Sequence, residues 1–399
     1  MTELKEPQTK NPESTKHFSA VDGVISENMT IKDKEEIRDF FIERFEKQDI
    51  EDIKGGEIEL SPEQASLVDK ANRTTNEFLT RIGVDPKIDI GPKNIHVLNE
   101  ETFDMLVKKS NIDPWASVNP KRCAAFAHTP NQGIFIREKK AQDDIAFLHL
   151  VIHEMLHFKG YITLQPAVVG NEELLTERRM GLRMRQIERV KKTKPDGSAE
   201  KFNQPGQLYF SGLDEAIIEK SALHIVRNYD LISKPELRDE LEKSELLRKA
   251  MMARLEYNFK ERGDKMSDEA TNELTKIYFH LDLQSVILPE AGRLWDEYEK
   301  SGRDPSFLEN AISFYCDYQG ERHLSGYVEE KFKLDNLTVK IYSKNPGRFS
   351  SLQEVAVIFA QAVFTGKVLP LARLIDETFG KGSFRRLGEG KDITAEEDT

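Results

Sequence analysis

Cysteine is almost absent from this chain: of 399 residues, only Cys123 and Cys316 are cysteines. Two are too few for a disulfide framework, and no C-x-x-C pair is present, so any bound metal must be held by histidine and carboxylate. Long apolar runs are also missing. No segment approaches the roughly 20 residues that a bilayer-spanning helix needs, and Met1 to Ser19 is polar, without the apolar centre of a signal peptide. The chain is therefore expected to be soluble and cytoplasmic, with no membrane partner. An excess of positive charge is lacking too, because 70 acidic residues oppose 58 basic ones and leave a net charge of -12. Such a surface is a poor match for a phosphate backbone, and no stretch reads as a nucleic-acid module.

What is present suits a sizeable enzyme, since a chain of this length can bury two cores or one large core with appendages. Residues 1–30 are rich in Lys, Glu, Thr, Ser and Asn and are expected to form a disordered tail. A helix is predicted over Ile31 to Ile50, with Ile37, Phe40, Phe41 and Phe45 on one face. A second starts near Ser61-Pro62-Glu63 and carries Leu67, Val68, Ala71, Phe78 and Leu79. Asn94 to Leu98 reads as a strand, and Cys123 to Arg137 reads as two short strands around a Pro-Asn-Gln-Gly turn. An apolar helix follows from about Ala141 and ends at Gly160. Beyond it the pattern predicts extended segments at Tyr161 to Leu164 and Arg178 to Ile187, a short helix at Glu172–Glu177, and an exposed loop over Lys191 to Gln207. A helix then begins at Ser211. From Pro235 to Leu387 the periodicity is mainly helical: Glu236 to Arg262, Asp268 to Lys300, Phe307 to Gln319, and Leu352 to Phe379 with a stop at Thr365-Gly366. These signals divide the chain into a lobe over 31–230, a helical lobe over 231–390 and an acidic tail over 391–399.

The apolar helix carries the chemistry. His153, Glu154 and His157 form H-E-x-x-H, and residues four apart on a helix lie one above the other, so both imidazoles can reach one metal ion. Glu154 lies beside them, placed to take a proton from a metal-activated water. The setting adds weight to the letters, because a buried helix rarely carries His, Glu and His without partners. A core helix with hydrogen-bonded histidines is the plainer reading of the same residues. His149 lies one turn before His153, but the rise from His149 to His157 is about 12 Å, too far for one ion to bridge all three.

A catalytic zinc site needs three protein ligands and one open position. A third histidine at the end of H-E-x-x-H-x-x-G-x-x-H is excluded, because Gly160 is present but Thr163 occupies the last place. A glutamate on a later helix is the other arrangement. Asp214-Glu215-Ala216-Ile217-Ile218-Glu219 fits it, with Glu215 and Glu219 on one helix face. Glu215 would bind the metal, Glu219 would accept the outer N–H of a ligating histidine, and Asp214 is placed to serve the other histidine. A solvated acidic helix N-terminus is the bland reading of the same run. Glu177 is the competing third ligand at shorter spacing, with Arg178 and Arg179 as unfavourable neighbours. His224, nine residues beyond Glu215, falls on the opposite helix face.

This constellation resembles the gluzincin metallopeptidases, the group that includes thermolysin, over roughly residues 90 to 225. The resemblance implies an α+β protein: a zincin-like lobe with a small mixed sheet and the H-E-x-x-H helix, followed by a mainly helical C-terminal lobe. It implies Zn²⁺ as cofactor and a peptide or protein as substrate. It also implies an edge strand that binds the substrate backbone, here within Cys123 to Ala127 and Gly133 to Arg137. A Tyr or His donor for the oxyanion is a further implication, with Tyr229, Tyr278, His280, His323 and Tyr327 as candidates. The chain departs from the thermolysin pattern in the long separation of His157 and Glu215, 58 residues. Zinc-dependent peptide hydrolysis is the leading expectation. Its rivals are a zinc hydrolase of a non-peptide amide and a binding or regulatory protein that keeps a metallopeptidase fold.

Overall fold

The computed structural model describes residues 20–26, 29–110, 123–142, 144–169, 172–193, 199–228, 300 and 327–393. They form a mixed α/β architecture with two small mixed sheets and many helices, in keeping with an α+β class. The helical patterns at 236–262, 268–300 and 307–319 lie outside these residues, Lys300 excepted.

The first sheet has the order β2-β3-β5-β4, built from β2 (Glu57–Ile58), β3 (Ile95–Leu98), β4 (Ala125–His128) and β5 (Gly133–Arg137). β3 and β5 run parallel, and the other neighbours are antiparallel. Period-two alternation decides what each face of β5 meets: Ile134 and Ile136 join the main core, whereas Phe135 packs with Leu98, Phe103 and Leu106 in a smaller cluster. Helix α3 (Glu100–Ser110) covers that second face. On the main-core side lie α2 (Pro62–Arg81) and α5 (Asp144–Lys159), the H-E-x-x-H helix, which follows the short α4 (Glu138–Ala141). Ser61 caps α2 in a reciprocal box with Gln64, and Pro62 pre-sets its first turn. Helix α1 (Ile31–Lys47) buries Phe41 and Phe45 but leaves Phe40 half exposed.

Helix α5 is apolar nearly all round, and Phe147, Leu148, Val151, Ile152, Met155, Leu156 and Phe158 are fully enclosed. A helix of that composition is stable only with neighbours on every side. Its last turn is tied to α2 by buried Lys159, which donates to Asn72 Oδ1 at 2.7 Å and to Asn76 Oδ1. Burial pushes the Lys159 amine down to about 7.

The second sheet, ordered β1-β6-β7-β8-β9 with β1 at Gly23–Val24, explains the long separation of the motif helices. Strands β6 (Ile162–Val169), β7 (Glu172–Met180), β8 (Arg183–Thr193) and β9 (Ala199–Tyr209) fill the chain between α5 and α6 (Ser211–Asn228). The structure corrects the reading here. Glu172–Glu177 is strand, not helix, because β7 pairs with β6 along its length from Val169↔Glu172 to Ile162↔Met180. Lys191 to Gln207 contributes to the β8–β9 hairpin where it is described, rather than to a loop. Its Pro205 and Gly206 mimic loop signals, yet they sit opposite a register shift at Arg185/Ile187 on the outermost strand, where a bulge tolerates both.

The expected disordered tail over residues 1–30 fails at 20–26, and its residues 1–19 lie outside the described residues. Gly23–Val24 forms β1, parallel to β6, and Ala20 is fully buried. Lys87 Nζ holds this segment through Ala20 O at 2.6 Å and Asp22 Oδ2 at 2.7 Å, while Asp22 also accepts the Ile162 N–H at 2.6 Å. Sequence composition hides such a strap, because its one buried ion pair joins residues 65 apart.

The described C-terminal helices are α7 (Val328–Lys344), α8 (Leu352–Thr365), α9 (Leu369–Phe379) and α10 (Ser383–Gly388). Leu334, Ile341, Phe359 and Leu371 belong to the same core cluster as α5 and α6. Among the described residues no helix is long and apolar enough to cross a membrane. Replacing Asp22 by Ala is expected to cost about 3–5 kcal/mol, because it leaves the buried Lys87 cation without its partner. Denaturant unfolding of the full chain checks this, and a loss below about 1 kcal/mol would show that the strap is not an anchor.

Candidate metal centre

His153 and His157 stand one turn apart on α5, with their Nε2 atoms 3.2 Å from each other. Helix α6 lies against α5 and brings Glu215 Oε2 to 3.2 Å from His157 Nε2 and 3.5 Å from His153 Nε2. A tetrahedral ion bonded at about 2.0–2.1 Å needs ligand atoms about 3.3–3.4 Å apart, so these three atoms outline one face of such a tetrahedron. His153, His157 and Glu215 are all buried, and they are the one group with this geometry among the described residues.

The surrounding charge favours a cation. Glu154, Asp214, Glu215 and Glu219 are buried around the two imidazoles. Lys331 Nζ reaches Glu219 Oε1 only at 3.9 Å, and Arg183 NH1 lies 3.4 Å from Glu215 Oε1. Two cations against four buried carboxylates leave a deficit that a divalent ion fits, and burying such an excess uncompensated is costly. His153 expresses the same imbalance. Burial opposes its charged form, but hydrogen bonds to Glu215 and Glu219 and the charge of Glu154 outweigh it and hold the imidazole pKa well above its ordinary value. Glu215 is the converse: burial favours its neutral form, yet His157, His153 and Arg183 hold it well below the usual carboxylate range.

Glu219 sits one turn beyond Glu215 and accepts from His153 Nδ1 at 2.8 Å. That bond places a proton on Nδ1 and directs Nε2 toward the centre. His149 Nε2 lies 3.2 Å from the same Glu219 oxygen, so His149 flanks the triad from outside it. Burial would neutralise Glu219, but His149, His153 and Lys331 lower its pKa and keep it anionic.

Asp214 takes a different place from the expected one. It makes no hydrogen bond to His157; its Oδ1 accepts the Leu182 N–H at 2.7 Å, and its Oδ2 has no hydrogen-bond partner among the described residues. Burial and the neighbouring Glu215 raise its pKa to about 6 against the opposing charges of His157 and Arg183. What Asp214 does is hold the β7–β8 turn. Gly181 adopts φ +59° there, and a Cβ would lie 2.2 Å from Asp214 Oδ1. The docked turn projects Arg183 onto Glu215 Oε1, which leaves Oε2 for the histidines.

Glu177 is not in the triad. Its Oε1 accepts from Thr129 Oγ1 at 2.6 Å, and its Oε2 lies 3.9 Å from Arg183. Arg179 turns away from the centre, donating to Gly181 O of the β7–β8 turn at 2.7 Å and, at the end of α8, to Gly366 O at 2.7 Å and Ala362 O at 3.2 Å. The cation that does stand by a carboxylate of the centre is Arg183, four residues further on, which no local pattern marked. Thr163 lies in β6, and His224 packs against Phe78 with rings 5.8 Å apart.

Glu154 points to the sheet, where its Oε2 accepts the Ala127 N–H of β4 at 2.8 Å. Of the five oxyanion-donor candidates only Tyr327 is among the described residues, and its ring lies parallel to His153, 8° between planes and 6.2 Å between centroids. Tyr327 is 41% exposed as a residue, yet desolvation of its phenol and the charges of Glu215 and Glu154 raise its pKa, so it stays protonated at neutral pH. Tyr327 has left-handed backbone angles, φ +59° and ψ +36°, a conformation that a bulky residue adopts only under constraint. The constraint is visible on one face of α7, where Lys331 faces Glu219 and Asp335 pairs with Lys220. Sequence reading missed Lys331 because its partner is more than a hundred residues away.

Comparison with known proteins finds no matching family model, no matching curated protein and no matching solved structure. The geometry alone ranks the residues. In a zinc titration of the full chain, Glu215→Ala is expected to weaken binding more than about 100-fold and Glu219→Ala about 10- to 100-fold, with Glu177→Ala least affected. Equal losses for Glu215→Ala and Glu177→Ala would refute the triad. Gly181→Ala, which forces its Cβ against Asp214, is expected to destabilise the fold by about 1–3 kcal/mol and weaken zinc binding with it.

Proposed function

We propose that this protein is a zinc-dependent peptidase of the glutamate-ligated, gluzincin-like kind. The observation that carries the reading is the His153–His157–Glu215 triangle, 3.2 to 3.5 Å on a side, with Glu154 beside it. On this reading sheet one, α5 and α6 form a zincin-like lobe, and the hairpins β6–β9 are an insertion between its two ligand-bearing helices.

Zinc bound by the triad would supply Lewis-acid activation of a water and of the scissile carbonyl. The protein's own groups do the rest. His153 is held in one tautomer by Glu219, and Glu215 is held by Arg183 so that a single oxygen faces the histidines. Glu154 accepts the proton of the attacking water and delivers it to the leaving amine nitrogen. Tyr327, kept protonated, donates to the oxyanion that develops on the carbonyl. An extended peptide reaches these groups along β4, the outermost strand of its sheet, which Glu154 touches directly.

A structural metal site has no use for a proton acceptor, so the intact Glu154 weighs against a purely regulatory role. Glu154→Gln preserves size and should retain zinc affinity while lowering peptide hydrolysis by about 10²- to 10⁴-fold. Peptide-library digestion by the zinc-loaded chain, with a chelator control, provides the assay. Full activity in Glu154→Gln would refute its role, and cleavage confined to small acyl amides would replace the peptidase with an amidase.

A further inference from the structure

Which backbone groups of β4 face outward follows from one bond. The Arg137 N–H donates to Ala124 O at 3.0 Å, so Ala124 is turned toward β5. Hydrogen-bonded and non-bonded positions alternate along an antiparallel pair. With the register Ala125↔Ile136 and Ala127↔Ile134, the N–H and C=O groups of Ala125 and Ala127 therefore point away from β5, to the edge that no strand covers among the described residues. Two of them are already engaged by side chains of this chain. Cys123 Sγ donates to Ala125 O at 3.3 Å, and the Ala127 N–H donates to Glu154 Oε2 at 2.8 Å.

The second contact joins two functions in one bond. Glu154 is the proposed proton acceptor, and the N–H that occupies its oxygen belongs to the strand on which an extended peptide would pair. We propose that the Ala127 N–H is a substrate-operated latch: a peptide adding to β4 presents a carbonyl to it, takes over the hydrogen bond and frees Glu154 Oε2 for proton transfer. The inference rests on the peptidase reading and deepens it by making strand pairing at β4 control the release of the proton acceptor. Cys123 acts as a weaker placeholder, displaced from Ala125 O by a backbone N–H of the same peptide. Pairing at a distance from the cut bond would thus be expressed in turnover as well as in affinity, because it changes the state of the reacting groups.

Two measurements test the latch. The first uses zinc-loaded full-length protein and fluorogenic substrates of one sequence: a short form, an extended form, and extended forms with one backbone carbonyl at a time reduced to methylene. The expected result is a kcat about tenfold or more higher for the extended form, lost on reduction of one particular carbonyl. A gain confined to KM, with kcat equal within about twofold, would overturn the proposal. The second follows amide hydrogen exchange at Ala127, needs no turnover, and uses a non-cleavable extended peptide as probe. Exchange should accelerate at least about tenfold in Glu154→Ala and slow again when the probe is added. An Ala127 amide indifferent to the probe in Glu154→Ala would overturn the latch. Cleavage of no peptide at all would instead count against the peptidase reading, and the exchange result would still decide whether β4 captures a chain.

Discussion

The packing of α6 against α5 is the contact on which the rest of this structure depends. It sets His153 Nε2, His157 Nε2 and Glu215 Oε2 within 3.5 Å of one another, inside a protein interior. Three lone-pair atoms at that separation repel unless a proton or a cation lies among them, and the buried carboxylates nearby sharpen the demand. The apolar faces of both helices supply the compensating stabilisation. Phe147, Val151 and Met155 on α5 and Ala216, Ile217 and Ile218 on α6 all enter one core. The hydrophobic core thus holds together a polar centre that would not assemble alone.

Around that contact, the neighbouring elements contribute polar restraints. Helix α2 fixes the end of α5 through Lys159, and the β7–β8 turn fixes the free oxygen of Glu215 through Arg183. Helix α7 brings Lys331 toward Glu219 and Tyr327 over His153. Positive backbone φ recurs at these junctions: Gly181 before Arg183, Phe210 before α6 and Tyr327 before α7. Phe210 is a bulky residue in that region, held by its N–H to Gly388 O and by ring packing on Phe384. Local strain of this kind persists only where surrounding structure over-determines it. Here the surroundings are the elements that aim side chains at the centre.

Strands β6–β9 account for the long separation of His157 and Glu215 in the chain. Two long hairpins occupy the chain between α5 and α6, yet Ile162 begins β6 just after α5 and Ser211 begins α6 just after β9. Chain length between His157 and Glu215 is therefore taken up in the sheet, and the distance between the two helices is indifferent to it. The same hairpins also supply Arg183, so they add to the centre as well as connecting its two helices.

Sequence by itself determined what depends on local periodicity and spacing. The i, i+4 placement of His153 and His157, the pairing of Glu215 with Glu219 on one face, the capped start of α2 and the β4–β5 pair are all short-range consequences of residue order. The absence of a histidine at Thr163 was equally legible. Tertiary structure alone decided what depends on distance across the chain: Glu215 rather than Glu177 beside the histidines, Asp214 bound to Leu182 rather than to His157, and Arg183, Lys331 and Tyr327 around the centre. It also decided the strand at Glu172–Glu177 and the hairpin over Lys191 to Gln207. There the charged composition resembled helix and loop, and cross-strand hydrogen bonds outweighed local preference. The physical reason is the same in each case. A helix face is set within a few residues, whereas the partner of a buried charge is set by which elements the core packs together.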